Sequence, residues 1–179
     1  MFISGRLRRV NTTISSSLRS NSSVYNRDGR FDQYYYESYE IRVPIDDYYI
    51  LMSKSSIDTY GYLYQMSFNP YNPYSNLIAY DDDAGGSRQF QLTKYLVTNR
   101  TYILVLTTYS SLVTGNYQLI VEGANRVQLI KLLSVSMTTT RTTTTGLKIN
   151  LWIEVKFNWL DIRKSFHRFT FYFGPLEHF

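Results

Sequence analysis

The chain has 179 residues, no cysteine, 18 tyrosines and a formal net charge of +5. That length fits one domain of about 100–150 residues with extensions, and the missing cysteine excludes disulfides and thiolate metal sites. The positive balance belongs to the flanks: residues 34–131 carry nine acids against seven bases, whereas residues 1–33 carry six arginines against Asp28 and Asp32, so the central part gives no support to nucleic-acid binding.

Residues 1–33 are rich in Ser, Asn and Arg without a clean period and are expected to be a flexible lead-in, with a short edge strand around 22–25. No apolar stretch follows the opening Met1-Phe2-Ile3-Ser4-Gly5, so no secretory leader is recognised. The chain is then either cytoplasmic or a piece of a longer secreted protein, and the second is preferred for reasons given below. No run of 18 apolar residues is present, and no membrane span is expected.

From Tyr34 the pattern changes. Tyr35, Tyr39, Ile41 and Val43 alternate with Ser38, Glu40 and Arg42, with Glu37 an exception on the apolar face; this is a half-buried strand. A turn at Pro44 and Asp46-Asp47 leads to a second strand over 48–53, and a polar turn over 55–60 leads to a third over 61–68. Two prolines keep residues 69–74 out of any ladder. Short strands follow at 76–80 and 90–95, separated by the acidic turn 81–86. Residues 101–109 contain the continuous apolar run Ile103-Leu104-Val105-Leu106, as a strand covered on both faces requires. Residues 116–121 are expected to be its hairpin partner, and 127–135 to be a last strand or a short helix. Seven or eight short strands at this spacing predict an all-β fold, an antiparallel β-sandwich of jelly-roll type with irregular N-terminal and C-terminal extensions. The domain is placed at 34–131. Residues 132–146, with seven threonines and one arginine over 138–145, form a linker that could carry O-linked sugars, and residues 147–179 form an extension with strand-like alternation at 149–157 and at Phe169, Phe171 and Phe173.

Four groups of residues are candidates for function. Asp81-Asp82-Asp83, followed by Gly85-Gly86, form the densest charge in the chain, and Asp58 can approach from the neighbouring turn; adjacent carboxylates with flexible backbone suit calcium, which takes six to eight oxygens, although the same residues also make ordinary Asx turns. Tyr60, Tyr62, Tyr64, Tyr71 and Tyr74 gather around one strand and its loop, either as ligand-binding aromatics for sugar rings or peptide or as core and ordinary surface. Asn11, Asn21 and Asn99 head glycosylation sequons. Catalysis has little to draw on: the only histidines, His167 and His178, lie in the last segment, and neither a nucleophile triad nor a histidine metal site can be assembled from the rest. No catalytic residue is assigned. Arg6, Arg8, Arg9 and Arg19 can neutralise phosphates without reading sequence, but a disordered basic extension is the plainer reading.

Five pieces in order carry a resemblance: Asp58-Thr59-Tyr60-Gly61-Tyr62-Leu63-Tyr64, the strand Asn76–Tyr80, Asp81-Asp82-Asp83-Ala84-Gly85-Gly86, Thr101-Tyr102-Ile103-Leu104-Val105, and Gly115-Asn116-Tyr117-Gln118-Leu119. Over residues 34–123 the chain resembles the pre-peptidase C-terminal type domain. The resemblance implies a non-catalytic jelly-roll-like sandwich in extracellular proteins. It acts in binding, adhesion or spacing, in some members with calcium, or accompanies a secreted peptidase or other hydrolase as a targeting domain. The long Asn-Pro-Tyr-Asn-Pro loop and the extra tyrosines depart from the family pattern. The family's acidic calcium segment before the first strand is represented only by Asp28 and Asp32 and is not carried over. The implied setting is extracellular or cell-surface, with an unknown protein or glycan as partner and nothing pointing to an oligomer. A structural spacer with no ligand is the remaining alternative.

Overall fold

The computed structural model describes residues 8–27 and 32–133, together with two short segments, 136–137 and 153–154. It is all-β. Its strands are β1 (Val10–Leu18), β2 (Ser23–Tyr25), β3 (Tyr34–Arg42), β4 (Asp47–Ser55), β5 (Thr59–Gln65), β6 (Leu77–Asp81), β7 (Gln91–Leu96), β8 (Tyr102–Thr108), β9 (Gly115–Gly123), β10 (Gln128–Leu132), β11 (Ser136–Met137) and β12 (Ile153–Glu154). Two antiparallel sheets pack face to face as a β-sandwich. One has four strands in the order β1-β9-β4-β7; the other runs β10-β3-β8-β5-β6, with β2 paired to β3 as its sixth strand. No helix among the described residues is long and apolar enough to cross a membrane.

Three expectations change. The strand expected over 61–68 ends at Gln65, because Met66 takes a positive φ of 76° and leaves Phe68 in the loop. Residues 10–18, placed in the flexible lead-in, form a nine-residue strand paired along its full length with β9, from Val10↔Gly123 to Leu18↔Gly115. The segment 116–121, expected as the hairpin partner of 101–109, lies in the other sheet, where β9 pairs with β1 and β4. The chain changes sheet at almost every connection from β3 to β10, and β5–β6 is a hairpin within one sheet. The connection 109–114 is long enough to cross the ~10 Å between stacked sheets, so β9 need not fold back on β8.

The core lies between the sheets. Tyr39, Ile41, Leu63, Leu104 and Leu106 from the larger sheet meet Leu18, Tyr49, Leu51, Leu92, Leu119 and Val121 from the smaller. Gly61 is required here: a Cβ on it would stand 2.5 Å from Cδ2 of the fully buried Phe90 ring. The larger sheet is apolar on its outer face as well. Tyr62, Tyr64, Ile103 and Val105 form a second cluster there with Tyr25 and Tyr34. Every residue of β8 is therefore buried, which accounts for its unbroken apolar run. Phe68, carried by the loop after β5, closes over this face and makes ring contacts with Tyr25, Tyr36 and Tyr64 at 5.5, 5.2 and 4.9 Å.

Glu37 sits on the core side of β3 and ties the two sheets together. Its Oε2 accepts hydrogen bonds from Ser16 Oγ at 2.8 Å, Tyr39 Oη at 2.9 Å and the Tyr117 hydroxyl. Its Oε1 lies 2.7 Å from Lys131 Nζ. Ser16 and Tyr117 belong to the smaller sheet, Tyr39 and Lys131 to the larger, so the exception in the β3 alternation is a polar clasp between them.

Candidate functional site

The turn before β5 and the turn after β6 lie at one end of the sandwich, because β5 and β6 are antiparallel and Gly61 pairs with Asp81. The 82–90 turn is held by its own backbone. Asp81 Oδ2 accepts from the amides of Ala84 and Gln91, both at 2.9 Å, which is an Asx-type closure. Gly86, Ser87 and Arg88 follow one another with positive φ values of 74°, 53° and 61°; glycine adopts that region freely and the other two do not. Gln89 straps the turn to its neighbour: its Nε2 donates to Ile57 O at 2.9 Å, and the Thr59 amide donates to Arg88 O at 3.1 Å.

This packing brings Asp58 to the acidic turn. Burial pushes the Asp58 carboxyl above its usual range, Asp83 and Asp82 add to the effect, and Arg88 opposes it. Its Oδ1 is buried with no hydrogen-bond partner among the described residues. A calcium ion would satisfy these carboxylates chemically. The arrangement itself is not a cage, since Asp81 is committed to the turn and, among the described residues, no group of three or more His, Cys, Asp and Glu is spaced to hold a metal.

The tyrosines singled out in the sequence divide between two ends. Tyr60 and Tyr62 stack at 4.7 Å with planes 14° apart, and Tyr80 of the neighbouring strand continues the row, 6.0 Å from Tyr62. Burial raises the Tyr60 hydroxyl above its usual range, and Asp82 contributes in the same direction, which sets the row beside the acidic turn. Tyr62 and Tyr64 are buried, and the Tyr64 hydroxyl has no hydrogen-bond partner among the described residues. Tyr71 and Tyr74 are 95% and 64% exposed on the loop beyond the far end of β5. That end is a strand's length, roughly 20 Å, from Asp58.

Arg27 packs against one end of the row, at Tyr60, and was not singled out in the sequence. It is only 7% exposed. Its guanidinium lies 4.1 Å from the ring centre of Tyr34, 4.7 Å from that of Tyr60 and 5.9 Å from that of Tyr109, and it donates to Thr108 O at 2.7 Å. A desolvated guanidinium against tyrosine faces contributes about 2 kcal/mol. Four separate parts of the chain supply this arrangement, so local pattern gives no signal for it. Tyr80, 62% exposed, and Tyr109, 55% exposed, are the open rings around this assembly.

Asn11, Asn21 and Asn99 are all exposed. Asn99 has a positive φ of 58° in the turn before β8, a conformation asparagine tolerates. His167, His178, the threonine tract 138–145 and the alternating stretch at Phe169–Phe173 lie outside the described residues, as does most of the alternating stretch 149–157. From that last stretch the short β12 pairs with β11.

Comparison with known proteins found no family model that matches the chain and no matching curated protein.

Proposed function

We propose that this domain is a non-catalytic binding module of an extracellular or cell-surface protein, and that the Tyr60–Tyr62–Tyr80 row with its acidic turn is the face it offers to a glycan or an extended peptide. The observation that carries the reading is the row itself: flat rings in one stacked arrangement, with a buried arginine against the first of them, Tyr60, and Tyr80 open to solvent. Aromatic surface fixed in advance costs little entropy on binding. The chemistry of the row supports contact rather than catalysis. Burial holds the Tyr60 and Tyr62 hydroxyls above their ordinary range, so they stay protonated at neutral pH as hydrogen-bond donors, not bases. The extracellular setting rests on the family resemblance, the threonine tract and the sequons. A catalytic domain adjoining this one would instead favour an accessory role beside a secreted hydrolase.

The test is a screen of the full chain against immobilised glycans and matrix proteins, repeated with Tyr80→Ala. An exposed ring can be removed without disturbing the core, and loss of its stacking should weaken retention about three- to tenfold. Absence of any retained ligand would leave the spacer reading; a ligand retained equally by Tyr80→Ala would place the binding face elsewhere.

A calcium ion at Asp58, with water and backbone oxygens rather than a cage of carboxylates completing its shell, is a second part of the proposal, favoured by the Asp58 oxygen that has no partner among the described residues and by the nearby negative charge of Asp83 and Asp82. Selective binding to the folded state must raise the unfolding midpoint. Millimolar calcium should therefore raise the midpoint relative to chelator, and Asp58→Asn should abolish the difference. Without calcium the same substitution acts in the opposite sense. A carboxyl whose proton affinity is raised by folding stabilises at low pH and loses that contribution as pH rises through its folded pKa. Asp58→Asn should thus raise the calcium-free midpoint at neutral pH. An identical midpoint in calcium and chelator would remove the metal from this reading.

A further inference from the structure

At the opposite end of the sandwich, on the outer side of the smaller sheet, an open cleft of about 500 Å³ is lined by Arg8, Arg9, Asn11, Glu122 and Arg126. Three elements build it. β1 and β9 pair Asn11 with Glu122, the residues before β1 supply Arg8 and Arg9, and the turn after β9 supplies Arg126. That turn is pinned on both sides of the arginine. The Arg126 amide donates to Asn125 Oδ1 at 2.8 Å, and the amide of the buried Val127 donates to Thr12 Oγ1 at 3.0 Å. Arg9 is held in place from two directions, with Nη1 3.8 Å from Glu122 Oε1 and Nη2 3.4 Å from Tyr48 O. Arg8 and Arg126 make no ion pair with any described residue. Three guanidiniums therefore face one carboxylate, and the cleft carries an excess of two positive charges. The acidic turn 81–86 lies at the far end of the molecule, and the nearer acidic pair, Asp46 and Asp47 before Tyr48, accepts from the amides of Thr98 and Tyr48.

We infer that this cleft binds a doubly charged tetrahedral oxyanion, a sulfate or phosphate group, between Arg8 and Arg126, with the Asn11 amide as a further donor. The planar guanidinium matches such a group through paired N–H donors, which a diffuse surface charge does not. Glu122 plays a double part: it orients Arg9 and repels the incoming anion. This site is separate in sheet, end and charge from the tyrosine row, so its binding is measured independently of that row, whereas a glycan on the Asn11 sequon would remove the Asn11 donor.

The experiment titrates the full chain, prepared without glycans because Asn11 lines the cleft, with inorganic sulfate and inorganic phosphate by calorimetry, against chloride at matched ionic strength. A phosphate monoester and a sulfate monoester of one sugar form parallel arms, separating a free ion from an esterified group. Saturable binding at one site per chain is expected in at least one arm. Arg126→Gln and Arg8→Gln should each raise Kd about tenfold or more, and Glu122→Gln should lower it several-fold by removing the repelling charge. Lys54→Gln, which removes an exposed charge at the other end of the smaller sheet, should leave Kd unchanged. A wild-type Kd retained in Arg126→Gln, or a Kd raised by Glu122→Gln, would overturn the assignment. So would retention of dextran sulfate without saturable binding of any small anion, because a long polyanion needs only a diffuse positive field.

Discussion

Glu37 converts a break in the hydrophobic pattern into the strongest polar contact between the sheets. Burial alone would push its carboxyl up, but the donors from Lys131, Tyr117 and Ser16 outweigh burial and hold it below the ordinary range. A carboxylate whose proton affinity is lowered by folding stabilises above its unfolded pKa, about 4.3 for glutamate. That contribution is lost as pH falls through the folded value. Glu37→Gln should therefore cost about 2 kcal/mol at neutral pH, the scale of hydrogen bonds to a charged partner. The gap from wild type should shrink at about pH 3 and below, once the native carboxyl also protonates. Urea midpoints of both proteins at the two pH values check this. A gap of the same size at both would mean that shape, not charge, is what the position supplies.

Among the strands, β1 makes the largest difference between expectation and structure. Its inward positions are Val10, Thr12, Ile14, Ser16 and Leu18, so the alternation is present, but two of the five are hydroxyl residues. Those two have their own partners, Thr12 Oγ1 accepting from the Val127 amide and Ser16 Oγ binding Glu37. A periodicity that counts only apolar side chains passes over such a strand. Truncating Leu18, almost completely buried at its end, tests whether β1 is part of the folding unit. Leu18→Ala should cost about 3 kcal/mol, a fall in midpoint of roughly 12 °C or more for a domain of this size, measured by thermal unfolding. A change of about 1 °C would return residues 10–18 to the status of an appendage. Other elements could be read directly: β3 from its alternation, β8 from its double burial, β5 and β6 from flanking turn residues. The neighbour of β9 could not. Alternation says which side of a strand is buried, and two sheets facing one core bury the same side. The candidate site divides along the same line. The acidic turn and the tyrosine-rich strand are local features and are visible as such, whereas Arg27 and the arginine cleft exist only through contacts between distant parts of the chain.

Across the whole molecule, tyrosine shares the packing with aliphatic residues in both clusters. Tyr39, Tyr49 and Tyr117 lie in the core between the sheets, and Tyr25, Tyr34, Tyr62 and Tyr64 fill the cluster outside the larger one. The phenol ring fills the space, and its hydroxyl must find a partner or go unsatisfied. Burial, ahead of every other influence, raises the hydroxyls of Tyr39, Tyr62, Tyr64 and Tyr117 above the ordinary tyrosine range. Such a group favours the folded state below its unfolded pKa, about 10. Above that value the unfolded chain releases protons that the native chain still holds, and stability falls as pH rises. Four groups distributed over both clusters make this a property of the fold as a whole, since no one of them can ionise in place without water reaching the packed faces. In an alkaline titration, part of the phenolate absorbance should therefore appear only together with loss of the sheet signal in circular dichroism, in one cooperative step above about pH 10. Full ionisation of all 18 tyrosines with the dichroism intact would show that the rings are accessible, and that neither cluster is packed as the sandwich requires.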